Sequence, residues 1–212
     1  MSRYESSRFV KNPQVMNQQV LKVACEKLGW KYEVRNNELL ITDIKQNEKL
    51  HGEYALKVSG DQVTYNSYYL KNGKELIAEL QSVFFPLNVE YAKKTVISSF
   101  EQKGFSFKKL YDFKPTTEEV EKFCMVGYTK LPNEKEKRFE IQFSIQNDGT
   151  VITDSNYLPD DVNDLAHKAM DEIESKFGNT RIMTKKPEYD KFIAKLNSTN
   201  KIDNKNINQI KQ

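Results

Sequence analysis

The chain has 212 residues, 33 Lys+Arg against 30 Asp+Glu, and a formal net charge of +3. That balance is not the strong basic excess of a dedicated nucleic-acid binder, and two cysteines exclude a disulfide-dense secreted scaffold. No apolar run approaches the roughly 20 residues that span a bilayer, and the opening MSRYESSRFVKN lacks the apolar core of a secretory signal. A cytoplasmic protein of one or two domains is therefore expected.

Residues 3–10 carry weak strand character. Asn12-Pro13 reads as the N-cap and first position of a helix over 13–28, because Asn accepts from free N–H groups and Pro has none to lose. Met16, Val20, Val23, Ala24 and Leu28 recur at three and four and predict its buried stripe. Gly29 is placed to end it, with Trp30 packing back.

Two hairpins follow. Lys31–Arg35 and Glu38–Asp43 flank Asn36-Asn37, a pair that tolerates positive φ. Gly52–Ser59 and Gln62–Tyr69 flank Gly60-Asp61. Four strands in an antiparallel meander are predicted.

Helices are predicted over 74–84 and 88–103, separated by Pro86, which removes a donor and restricts the residue before it. Asn88 is the N-cap of the second and Gly104 its stop. Phe105, Phe107 and Leu110 then alternate with Ser106 and Lys108, as in a strand returning to the sheet. The box Thr116-Thr117-Glu118-Glu119 predicts a short helix through Phe123. A short strand over Cys124–Leu131 follows, and polar residues 132–137 form the best linker.

Phe139, Ile141, Phe143 and Ile145 alternate with Glu140, Gln142, Ser144 and Gln146, which predicts a half-buried strand. Asn147-Asp148-Gly149 turns the chain into a return strand over Thr150–Thr153. Pro159-Asp160-Asp161 opens a helix whose acidic first turn complements its dipole. Val162, Leu165, Ala166, Ala169, Ile173 and Phe177 make its stripe, and Gly178 ends it. Residues 197–212 are Asn/Lys-rich and read as a disordered tail. The predicted class is α+β: an antiparallel sheet with helices packed on one side, followed by a ββα unit. The expected division is 1–112, a connecting region 113–137, a ββα unit 138–196, and the tail.

Two patches resemble known families. A Met-Ser start, a helix ending ACEKLGW, a β-rich middle and EYAKKTVISSFEQKGF resemble an uncharacterised family of open reading frames in red-algal plastids and cyanobacteria. Tyr91, Ala92, Thr95, Val96, Glu101, Gly104 and Phe105 carry that match, whereas residue 3 is Arg where the family has His. The stretch FEIQFSIQNDGTVITDS through KKPEYD resembles a small companion family, with Asp148, Gly149, Pro187, Glu188 and Tyr189 carrying the match. The companions have a Cys before their helix; here the segment reads Asn156-Tyr157-Leu158-Pro159. Genes of both families often lie beside a MoxR-class AAA+ ATPase, so the resemblance implies such an ATPase as a partner, and a stromal location if the chain is plastid-encoded.

No cofactor is expected. His51, His167, Cys25 and Cys124 are the four histidines and cysteines, and no pair has metal-ligand spacing. A Cys–His nucleophile pair is equally unsupported. Asp160, Asp161, Asp164 and Asp154 lack the period of a calcium loop and read as dipole complementation. Asn72-Gly73-Lys74 lacks the rest of a phosphate loop and reads as a helix start. The expected function is thus a non-enzymatic protein-interaction or adaptor module. Its candidate surfaces are the hairpin Phe139–Thr153 and the amphipathic residues Tyr189, Phe192, Ile193 and Leu196. The alternative is single-stranded nucleic-acid binding. Lys93, Lys94, Lys103, Lys108 and Lys109 around the 88–103 helix would hold the backbone, and Tyr65, Tyr68 and Tyr69 would stack on bases. Residues 1–112 carry 17 basic and 13 acidic residues, a mild excess of +4 in that direction.

Overall fold

Leu39, Ile41, Leu56, Val58, Val63 and Tyr65 occupy alternate positions on three neighbouring strands, so pleating sends all six to one face. That face carries a hydrophobic core. A computed structural model describes residues 3–45, 52–130, 136–155 and 158–176. Among these residues it shows an α+β fold with two antiparallel sheets and three α-helices. Among the described residues, no helix is long and apolar enough to cross a membrane.

The chain divides into two compact units that interleave in sequence. The first comprises Met1–Thr95, Leu110–Lys122 and Ser144–Ile152; the second comprises Val96–Lys109, Phe123–Phe143 and Thr153–Gln212.

In the first unit a five-stranded sheet has the order β1-β5-β4-β3-β2. Its strands are β1 Tyr4–Arg8, β2 Lys31–Arg35, β3 Glu38–Asp43, β4 Leu56–Ser59 and β5 Gln62–Asn66. The meander β2 to β5 is the one predicted, and β1 adds to its β5 side. Asn36 and Asn37 turn β2 into β3 at φ 50 and 65, the left-handed pair that matches strand twist.

Helix α1 spans Gln18–Leu28, five residues later than predicted. Asn12 caps only a single 3-10 turn over Pro13–Val15. Asn17 is the true N-cap; its Oδ1 accepts from the Gln19 and Val20 amides at 2.9 and 3.2 Å. The buried face is Val20, Leu21, Ala24 and Cys25. Val23, expected in the stripe, is exposed. Gly29 ends the helix at φ 69, as predicted, and the Trp30 amide donates back to Cys25 O at 2.8 Å.

The two helices predicted around Pro86 are one, α2, running Gly73–Glu101 through the proline. Leu76, Ile77, Leu80 and Phe84 belong to the core shared with α1 and the sheet, so both helices lie on one sheet face. That burial outweighs the roughly 3 kcal/mol that an interior proline costs. Asn88 is therefore not a cap. It is 1% exposed, and its amide donates to Val15 O at 2.9 Å and Asp148 O at 2.8 Å.

The second sheet has the order β6-β7-β8-β9: Ser106–Lys109, Glu119–Lys130, Glu136–Gln146 and Val151–Ser155. Residues 106–109 form a strand as predicted, but they pair with β7 rather than return to the first sheet. The helix expected from Thr116 is absent. Thr116 Oγ1 does accept from the Glu118 and Glu119 amides, at 3.3 and 2.9 Å. Yet the Thr116 amide donates to Glu119 O at 2.8 Å, which closes a turn that launches β7. A strand thus runs through much of the expected connecting region. Gly149 sits at φ 94 in the predicted turn between β8 and β9.

Phe139, Ile141, Phe143 and Ile145 are buried as their alternation predicted. In the second unit, Phe143 stacks on Phe123 at 5.5 Å and meets the Phe100 edge at 5.0 Å. Helix α3 spans Asp160–Lys176 and buries Val162, Ala166, Ala169 and Ile173. Leu165, placed in that stripe by the sequence, is exposed. Asp161 in its first turn accepts from the Thr129 hydroxyl of β7. Lys103 pairs with Glu172 of α3 at 3.0 Å.

Candidate binding site

Strand β1 and the residue before it bring Glu5 and Arg3 beside residues sixty or more positions later. Glu5 lies opposite Tyr65 in the β1–β5 register, and the Tyr65 hydroxyl donates to Glu5 Oε2 at 2.8 Å. The chain leaves β5 at Asn66, whose Oδ1 accepts from the Tyr68 amide at 3.1 Å. This Asx turn folds Tyr68 and Tyr69 outward before α2 begins. The result is a recess of about 450 Å³ in the first unit, with Arg3, Glu5, Tyr65, Tyr68, Lys71 and Lys74 among its walls.

Gly73, the first residue of α2, makes the recess possible. A Cβ there would collide with the Tyr65 ring. The helix start therefore approaches Tyr65 more closely than any other residue would permit. That start also brings the positive end of the α2 dipole to the wall.

The electrostatics centre on Glu5. The Tyr65 hydroxyl holds its carboxyl below the usual range, helped by the Ser67 hydroxyl and by Arg3 and Lys74, against a raising effect of burial. Burial, and then the Glu5 bond, push the Tyr65 phenol up. Arg3 Nε stands 3.9 Å from Glu5 Oε1, and the Arg3 side chain is 81% exposed. Lys71 Nζ donates to Ser67 O at 3.2 Å and lies 5.4 Å from the Tyr68 ring centre. Tyr68 and Tyr69 meet edge to face at 5.0 Å, and both are at least half exposed.

The nucleic-acid surface expected from the sequence is thereby redistributed. Of the three tyrosines expected on the surface, Tyr65 is buried, at 4% exposure. Lys93 pairs with Glu121 at 2.9 Å, Lys94 with Glu90 at 2.6 Å, Lys103 with Glu172 at 3.0 Å and Lys108 with Glu140 at 2.9 Å. Lys109 lies on the all-exposed edge strand β6. Lys93 is about 28 Å along α2 from Lys74, at 1.5 Å per residue. The cations that do adjoin Tyr68 are Arg3, Lys71 and Lys74. Sequence spacing alone hides Arg3, which only the β1–β5 register brings to this place, whereas Lys71 and Lys74 follow Tyr68 closely in the chain.

Tyr189, Phe192, Ile193 and Leu196 lie outside the described residues, as does His51. The 139–153 hairpin is present, and Ile152 on edge strand β9 is 46% exposed. Cys25 is fully buried, and desolvation pushes its thiol up to about 12. Burial likewise raises the Cys124 thiol, with Glu140 adding to the effect. Among the described residues, no three His, Cys, Asp or Glu side chains are grouped to hold a metal ion.

Comparison with protein-family models, with curated proteins and with solved structures finds no match. The family resemblances therefore rest on the short motifs quoted above.

Proposed function

We propose that this chain is a non-enzymatic protein-interaction module that receives an extended segment of a partner protein along β1 and into the recess at its start. One observation carries the reading. Within one unit, the recess sets Arg3, Lys71, Lys74 and the exposed Tyr68 beside a strand that pairs on one side only among the described residues. An edge strand offers N–H and C=O groups to an added strand, and a neighbouring pocket supplies the choice of side chain. The sequence resemblance implies a MoxR-class AAA+ ATPase as the first partner to test.

The test is capture from the native host with the full chain and with an Arg3→Glu/Lys74→Glu variant as baits. The reading expects one protein partner on the wild-type bait and its loss from the variant, with both baits melting alike. Turnover of a small molecule by the isolated chain would overturn it.

A second reading keeps the same recess but fills it with single-stranded nucleic acid. The exposed Tyr68 and Tyr69 rings next to Lys71 favour it. Salt-dependent retention on an oligonucleotide, with no protein recovered, would move the assignment there.

A further inference from the structure

We infer that the segment received at β1 is acidic, and that Glu5 is a built-in counter-ion which an acidic side chain of that segment must outcompete. The inference rests on the protein-binding reading and specifies its chemistry. Glu5 lies on the same side of β1 as the recess, opposite Tyr65. One carboxylate there accepts from the Tyr65 hydroxyl at 2.8 Å and faces Arg3 at 3.9 Å and the charge of Lys74. Its capacity is shared out and its contact with Arg3 is long. A guanidinium carries five N–H donors in a fork that fits a carboxylate through two bonds. Arg3, with its side chain 81% exposed, is free to turn that fork toward an incoming acid.

Strand addition supplies the register. A segment laid along β1 alternates its side chains between the two sheet faces. Every second one falls on the Glu5 side, and the one level with Arg3 enters the recess. An Asp or Glu there meets Arg3, Lys71, Lys74 and the α2 start, and it also meets the negative charges of Glu5 and Glu75, so the cations of the recess outnumber its carboxylates by one. A peptide satisfies both halves of this surface, the strand edge and the cations, whereas a nucleic-acid strand has no backbone ladder to offer β1. Glu5 thereby sets a threshold: it keeps the cations compensated when the site is empty and admits only segments whose strand pairing and acidity together exceed its own hold.

The experiment measures binding of a short peptide of alternating Val and Glu to the full chain, with the Val-Gln counterpart and a single-stranded oligo-dT as the other probes. Wild type should bind the Val-Glu peptide and not the Val-Gln one. Glu5→Gln keeps an acceptor for Tyr65 but removes the charge. It should tighten Val-Glu binding by a factor between about three and about a hundred, the effect of one unit charge roughly 6 Å away between bulk water and an effective dielectric of about 20. Lys74→Gln should weaken it by a similar factor, and both effects should shrink with added salt. Equal binding of the two peptides, or an unchanged affinity in Glu5→Gln, would overturn the inference while leaving a protein-binding role in place. Binding of oligo-dT with neither peptide bound would overturn both.

Discussion

Asn88 of α2 donates its side-chain amide to the backbone carbonyl of Asp148, 60 residues away, at 2.8 Å. A second donation reaches Val15 O at 2.9 Å. The remaining atom, Oδ1, is buried and has no hydrogen-bond partner among the described residues. Gly149 sits against this amide, with no room for a Cβ. One side chain thus ties the 3-10 turn, α2 and the turn after β8 within the first unit. Asn88→Asp would aim a carboxylate at two carbonyls and should destabilise by about 3 kcal/mol or more. Asn88→Ala removes both donations and should lose about 1–3 kcal/mol. Chemical denaturation of the three proteins checks the order; equal stability of wild type and Asn88→Asp would show that the amide carries no weight.

The buried side of β8 should be intolerant of charge, whereas Gln142 on the other side should tolerate it. Phe143 is fully buried between Phe100 and Phe123, so Phe143→Asp should cost more than about 4 kcal/mol. Ile141→Asp should behave alike, while Gln142→Asp should stay within about 0.5 kcal/mol of wild type. Thermal melts distinguish them, and a uniform loss across all three would contradict the alternation.

Pro86 is an exposed residue inside α2. Pro86→Ala restores one backbone donor and improves intrinsic helix propensity, offset in part by a freer unfolded chain. A net gain of about 1–2 kcal/mol is expected by denaturant titration. No gain would mean that α2 needs the bend a proline imposes.

Cys25 makes stability pH-dependent on the alkaline side. Its thiol is raised from an ordinary 9.0 to about 12 in the native fold. Below pH 9.0 both native and unfolded thiols hold their proton, so the contribution is fully present there. As pH rises from 9.0 toward 12, the unfolded chain ionises first and stability falls. Cys25→Ser should flatten that alkaline slope in denaturation curves measured across the window. A thiol-labelling reagent should react with native Cys25 only as fast as the protein opens.

The turns and the alternating strands were legible because their signals are local. Asn36-Asn37 accepts positive φ, Gly29 accepts the left-handed cap, and β8 writes its buried face every second residue. Local signals failed where a distant partner decided the outcome. Pro86 reads as a break, but the core contacts of Leu80 and Phe84 hold α2 together across it. Thr116 makes the amide contacts of a helix cap, but β7 is claimed by sheet pairing on both sides. Val23 and Leu165 have the right spacing for buried stripes, but the α1 stripe turns to include Leu21 and Cys25, and in α3 Leu165 falls at the exposed border of a stripe that otherwise keeps Val162, Ala166, Ala169 and Ile173 as read. The recess left no trace in the sequence, because Arg3 and Lys74 become neighbours only through the β1–β5 register.

That register also sets an order of assembly. Strands β2 to β5 pair with sequence neighbours, whereas β1 joins β5 only by closing a loop of some sixty residues, from Glu5 to Tyr65. Long closures are late and entropically expensive steps, so β1 is the strand of this sheet that should dock last and detach first. The recess has its Arg3 and Glu5 wall only while β1 is docked. Occupancy of the recess and closure of the N-terminal strand are consequently one equilibrium: whatever fills the first should slow hydrogen exchange along the second.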